Sequence, residues 1–153
     1  MAVRQLEFTS ELCATPEQTW NWITSSSGIL QEMSPWFRMS VPRGLTRLDE
    51  PPFVAGQPLF RSRLYLFRLI PWGHSDLTLL EWRAGNGFVE QSPMTGMKLW
   101  RHERWIEPHR GGCLLHDRLT FDPRFAGSLV AWFVQRMFTH RHAVLQKHLG
   151  RKN

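Results

Sequence analysis

Four ionisable residues in the second half of the chain, Glu90, His102, Asp117 and Arg141, fall at positions whose neighbours are apolar. Charge taken out of water needs a partner, because burial disfavours the ionised form. These four therefore read as a paired cluster, which suits two uses. One is a polar anchor at the deep end of an apolar pocket, since such pockets carry a few directed polar groups. The other is proton transfer, because a histidine held by a carboxylate is a plausible general base. His102 with Asp117 is the candidate catalytic pair, but no nucleophile stands in a recognisable context and no GxSxG occurs. The plain alternative is an ion-pair cluster that only fixes strand register and anchors a helix.

Other polar residues say less. His74, His109, His116, His140 and His148 are scattered, and His140 and His142 face different sides of a helix. No HExxH or comparable pair exists, so no metal is expected. Glu32, in Gly28-Ile29-Leu30-Gln31-Glu32-Met33, lies where two short helices should meet the sheet edge. It reads as a surface carboxylate or as a residue at the pocket entrance.

The elements that position these residues follow from periodicity. Leu6 to Leu12 reads as a first strand. Thr15-Pro16-Glu17-Gln18 then opens a helix, with Thr15 as cap, Pro16 at the first turn and Gln18 closing a capping box. A second short helix spans Ile29 to Met33, and Val41 to Pro58, rich in Pro and Gly, reads as loops around a weak strand. Expected strands are Leu59–Phe67, Asp76–Trp82, Gly87–Ser92, Lys98–Glu107 and Gly112–Phe121. Pro71-Trp72-Gly73, Ala84-Gly85-Asn86-Gly87, Pro93-Met94-Thr95-Gly96 and His109-Arg110-Gly111-Gly112 are the turn signals between them. Short links of this kind join antiparallel neighbours. A long helix from about Phe125 to Leu149 closes the chain.

Alternation assigns faces. Trp100, His102, Arg104 and Ile106 share one side of their strand; Cys113, Leu115, Asp117, Leu119 and Phe121 share one side of the next. Phe88, Glu90 and Ser92 align on the strand before. On the helix, Val130, Val134, Met137, Arg141 and Val144 form a stripe. A slightly rotated stripe brings in His142 instead, with Ala131, Phe138, Leu145 and Leu149.

Composition sets the class. The chain has 153 residues, is 42% hydrophobic and carries eight Trp and ten Phe against one Tyr. Such rings without a hydroxyl suit a core or an apolar cavity wall. The formal net charge of +6 bears on association rather than fold. The cations are dispersed apart from Lys147 to Lys152, and no nucleic-acid motif of fixed spacing is present. Cys13 and Cys113 stand alone without a CxxC, which fits a reduced, cytoplasmic protein. The first residues hold no apolar stretch of signal-peptide length.

Taken in order, these residues resemble the START-like superfamily with the helix-grip fold, often called SRPBCC. More narrowly, they resemble bacterial polyketide cyclase/dehydrase-like ligand-binding proteins. The resemblance spans nearly the whole chain. It rests on Phe8, on Thr15-Pro16-Glu17-Gln18-Thr19-Trp20, on Gly28-Ile29 with Glu32, Met33 and Pro35, on Phe88-Val89-Glu90, on Trp100, His102 and Arg104, on Asp117, and on Phe138-Thr139-His140-Arg141-His142. It implies one α+β domain over residues 1–153, with a curved antiparallel sheet around a long C-terminal helix and two short helices after the first strand. It implies binding of a lipid, isoprenoid or polyketide, with no cofactor. Glu32, Glu90, Trp100, His102, Arg104, Asp117, Met137 and Arg141 are the expected ligand contacts. Two alternatives stay open: a cyclase/dehydratase-type enzyme using the same cavity, and a protein that associates with membranes or partners through the basic helix end and Trp36, Phe37 or Trp72. Oligomeric state is left open.

Overall fold

A computed structural model describes residues 3–49 and 54–150. The elements are β1 (Arg4–Leu12), α1 (Pro16–Ile23), α2 (Ser26–Met33), β2 (Phe37–Met39), β3 (Pro58–Leu66), β4 (Ile70–Arg83), β5 (Gly87–Gln91), β6 (Met97–His109), β7 (Gly112–Pro123) and α3 (Gly127–Leu149). The strands form one seven-stranded sheet in the order β1-β7-β6-β5-β4-β3-β2, with every neighbouring pair antiparallel. The sheet curls around α3, which is the helix-grip fold. Hairpins build the sheet outward from β7 to β3, while β1 crosses to the far edge of β7 because α1 and α2 intervene.

The capping box forms as the sequence predicts: Thr15 accepts from the Gln18 amide, and the Gln18 side chain accepts from the Thr15 amide. α2 starts earlier than expected, because Ser25 caps it by accepting from the Gly28 amide. The weak strand expected within Val41 to Pro58 is instead β2, before that stretch; its described residues supply an isolated bridge, Ser25 with Arg47, and Pro58 as the first residue of β3. Pro51-Pro52 lies outside the described residues.

Pro71-Trp72-Gly73 is not a turn but lies inside β4. The β3–β4 turn comes earlier, with Phe67 and Arg68 both at positive φ (50° and 69°). Gly73 serves a different need: at φ 137° it passes so close to Thr95 that a Cβ would meet the Thr95 side chain at 2.4 Å.

Burial on β6 and β7 follows the predicted alternation residue by residue. The core has two parts. Leu12, Trp20, Ile23, Leu79, Phe88, Ile106, Leu115 and Leu145 pack at one end, and Trp100, Leu119, Phe121, Val134, Met137 and Phe138 at the other. Fully burying each such side chain contributes on the order of 2 kcal/mol. α3 is held firmly at its C-terminal end, where the Leu149 carbonyl accepts from the Cys13 and Ala14 amides at 3.0 and 2.9 Å. Its other end is looser: Ala126 is left-handed and offers no side-chain cap.

Candidate functional site

Cross-strand register assembles the polar cluster. Glu90 on β5 pairs with His102 on β6, and Arg104 on β6 pairs with Asp117 on β7. α3 lies over them and lowers both Arg141 and His142 into the interior, so the two helical stripes are both realised. α2 supplies Glu32 from the opposite side. The expected surface position of Glu32 is wrong: its side chain is fully buried.

Arg104 sits between two carboxylates. It donates to Asp117 from Nε and Nη2 at 2.7 and 2.9 Å, and to Glu32 from Nη2 and Nη1 at 2.8 and 3.2 Å. This uses the fork geometry that only arginine offers. Glu32 also accepts from Trp22 Nε1 at 2.9 Å and from Arg141 Nε at 3.1 Å. Asp117 is further bonded by the Nε2 atoms of His102 at 2.6 Å and His142 at 2.8 Å. An ionised carboxylate only accepts, so both imidazoles carry their proton on Nε2 in this arrangement. His142 Nδ1 then accepts from Ser10 Oγ at 2.6 Å. Among the described residues His102 Nδ1 meets no donor; Glu90 Oε1 stands 3.8 Å from it.

The electrostatics agree. Burial pushes the Glu32 carboxyl up, but Arg104 and Arg141 outweigh it and hold it below the ordinary value. Burial acts likewise on Asp117, yet Arg104 and His102 keep it well below the usual carboxylate range. Arg104 is held more firmly protonated, since Asp117 and Glu32 overcome its desolvation. Arg141 goes the other way: burial and the nearby Arg104 charge outweigh the attraction of Glu32. Arg141 is thus the less compensated cation, and among the described residues its two Nη groups have no hydrogen-bond partner.

Beside this cluster lies a cavity of about 500 Å³ between α3 and the concave sheet face. Its wall is mostly aliphatic and aromatic. Glu90, His102 and Arg141 reach its surface, as do Trp100 and Met137. Glu32, Arg104 and Asp117, which the sequence placed among ligand contacts, do not line it. They stand behind the wall, because fully buried charges bond to one another and hold His102 and Arg141 in place. The Trp and Phe side chains leave the cavity open. Its mouth opens between the β3–β4 turn and the start of α3, where Phe67, Phe125, Leu129 and Trp132 are exposed.

Three polar residues escaped the sequence reading. Ser10 alternates with Leu12 on β1 and was there to be found. Trp22 shows no sign of its Glu32 bond in a helix of 8 residues. Ser75 falls one residue before the expected strand Asp76–Trp82, whereas β4 includes it; period two groups it with Leu77 and Leu79 on the cavity face. Among the described residues, no three His, Cys, Asp or Glu side chains are placed to hold a metal ion. Nor is any helix there long and apolar enough to cross a membrane.

Solved structures share this architecture. A START superfamily protein from Mycobacterium smegmatis superposes with a TM-score of 0.65 at 13% identity, covering 97% of each chain. A protein from Chromobacterium violaceum gives 0.63 at 14% identity, covering 92% of this chain and 96% of its own. Ara h 8.0201, a Bet v1-like protein, gives 0.58 at 11% identity, covering 96% of this chain and 100% of its own. At such identities the likeness is one of fold, and the fold is the START-like helix grip. No curated protein matches the sequence. A family model described as "Domain of unknown function (DUF8410)" matches residues 10–149, and the chain belongs to that family.

Proposed function

We propose that the protein binds a small, largely apolar molecule in the cavity between α3 and the sheet, as a cytoplasmic carrier or sensor. One observation carries this reading: an open apolar chamber of about 500 Å³ ends at three polar side chains braced from behind. That size lies within the roughly 300–1,000 Å³ typical of ligand sites. Lipids, isoprenoids and polyketides fit such a wall. Native mass spectrometry of protein purified gently from cells tests it. A discrete extra mass that disappears on denaturation is expected. A bare protein that also takes up nothing from a panel of such compounds overturns the reading.

The mouth favours a second element of the same reading, loading from a bilayer surface. Leu69, Ile70, Phe125, Leu129 and Trp132 are exposed there, and the exposed cations Arg68, Arg124 and Arg136 stand in the same segments. Apolar insertion with flanking cations suits an anionic membrane. The basic helix end stands apart from this rim: Lys147 lies roughly 27 Å from Leu129 along α3, at 1.5 Å per residue. Arg151 and Lys152 are outside the described residues. Trp36 and Phe37 are half-buried beneath this rim rather than exposed. Flotation with phosphatidylserine-containing vesicles should capture the wild type and lose Leu69→Asp. Equal capture of both would exclude the rim.

An enzymatic use of the cavity rests on His102, whose Nε2 is fixed by Asp117 while Nδ1 is left without a donor. That is the arrangement of an oriented base. Turnover of a cyclisable polyketide that His102→Gln abolishes would establish it.

A further inference from the structure

Ser75 is 2% exposed, and its Oγ is the one buried side-chain polar atom without a hydrogen-bond partner among the described residues. An orphaned buried hydroxyl is costly unless something outside the chain completes it. Ser75 lies on the wall of the cavity, on the same face of β4 as Leu77 and Leu79. Leu79 stands opposite Glu90 in the sheet, and Glu90 stands opposite His102. Ser75 is four residues before Leu79, so it sits ~13 Å along β4 from the Glu90–His102 row at about 3.3 Å per residue. Between the two positions the wall is apolar. Ser75 Oγ is turned away from the cavity surface in its present rotamer, and rotation about χ1 would present it, so the cavity can offer hydrogen-bonding groups at two separated points along its length.

The chemistry of the deep point is restrictive. Three carboxylates, Glu32, Asp117 and Glu90, gather there against two guanidinium groups, Arg104 and Arg141. By formal count the set carries one excess negative charge before either histidine is protonated. Arg141 offers donors from Nη, whereas His102 Nδ1 and Glu90 Oε1 offer acceptors. A carboxylate head satisfies the donors but faces Glu90, and like charges in a shared low-dielectric site repel. A hydroxyl donates and accepts at once.

Resting on the cavity-binding reading above, we propose that the ligand is an uncharged, elongated hydrophobe with two oxygen functions. One is a hydroxyl at the Arg141–His102–Glu90 end, and the other is a hydroxyl or carbonyl that meets Ser75 Oγ part-way to the mouth. Free long-chain acids are discriminated against by Glu90.

Three probes of equal chain length test this: decanol, the corresponding α,ω-diol and decanoate. Their binding is followed by tryptophan fluorescence and titration calorimetry. The wild type should prefer the diol, then the alcohol, then the acid. Ser75→Ala should weaken the diol about fivefold, the worth of one ordinary hydrogen bond, and leave the alcohol unchanged. Glu90→Gln should strengthen decanoate relative to decanol. Binding of all three with no selective loss of the diol in Ser75→Ala overturns the inference while leaving the cavity reading intact, as does a wild-type preference for decanoate. No binding of any probe to folded protein overturns both. Circular dichroism of each variant shows that the fold is retained.

Discussion

Arg104 and Asp117 are cross-strand partners whose side chains close a two-bond fork at 2.7 and 2.9 Å, with neither exposed to solvent. The same guanidinium reaches Glu32 on α2, so one side chain ties β6, β7 and a helix together. Removing one member leaves the others charged and dry. Asp117→Asn is expected to cost about 3–5 kcal/mol, read from urea denaturation. Arg61→Ala, which breaks the solvent-exposed pair with Asp76, should leave the denaturation midpoint where it is. Equal small effects from both would show that the buried network contributes little.

Acid should undo the same network. Glu32 and Asp117 have ordinary values of 4.5 and 3.8, and both are depressed in the fold. Below those values the unfolded chain binds protons that the native protein refuses, so stability rises with pH there. Their contribution is complete above pH 4.5 and is lost as pH falls through the depressed native values. Denaturation midpoints taken from neutral pH downwards should therefore stay level and then fall below about 4.5. Asp117→Asn should flatten that fall, and a slope identical to wild type would contradict the assignment.

Ser10 and His102 separate support from contact. Ser10→Ala strips the donor from His142 Nδ1 and should cost about 1–3 kcal/mol. Because neither Ser10 nor His142 lines the cavity, affinity for a bound probe should not change. His102→Ala should weaken that affinity. A binding loss in Ser10→Ala larger than in His102→Ala would show that the wrong histidine has been placed at the ligand.

Filling the chamber offers a fourth test. Leu77 is buried on the cavity wall, away from the charged cluster. Leu77→Trp should abolish uptake of decanol, the same probe as above, while the circular dichroism spectrum and cooperative unfolding persist. Unimpaired uptake would place binding elsewhere.

The sheet was readable because β6 and β7 are long and alternate strictly, so Trp100, His102, Arg104 and Asp117 could be turned inward from the sequence. Glu32 was not, and the reason is distance: its partner Arg104 is 72 residues away, and α2 has 8 residues, too few for a dependable periodicity. A lone glutamate in a short helix is usually exposed. Only the arginines behind the wall reverse that rule. Of Arg141 and His142, Arg141 is the one at the cavity, although both are buried. A helix gripped by a curled sheet and by α2 is covered on more than one side, so two adjacent residues are both buried. Ser75 disappeared behind Pro71-Trp72-Gly73, whose composition signals a turn although Gly73 marks a close pass by Thr95.

The unequal fastening of α3 has a mechanical consequence. Its last turn is pinned to the segment after β1 through the Leu149 carbonyl, and its middle is clamped by Arg141 and His142. Its first turns begin from an uncapped, left-handed Ala126 and present Leu129 and Trp132 outward. The helix is thus a cantilever, rooted by charges and hydrogen bonds at the polar end and held near the mouth by ring contacts of Trp132 and Phe133 with Trp36, Phe37 and Phe67. Bending its first turns breaks apolar and ring contacts but leaves the charges at its root undisturbed, so the amides of residues 130–133 should exchange with deuterium well before those of 138–145.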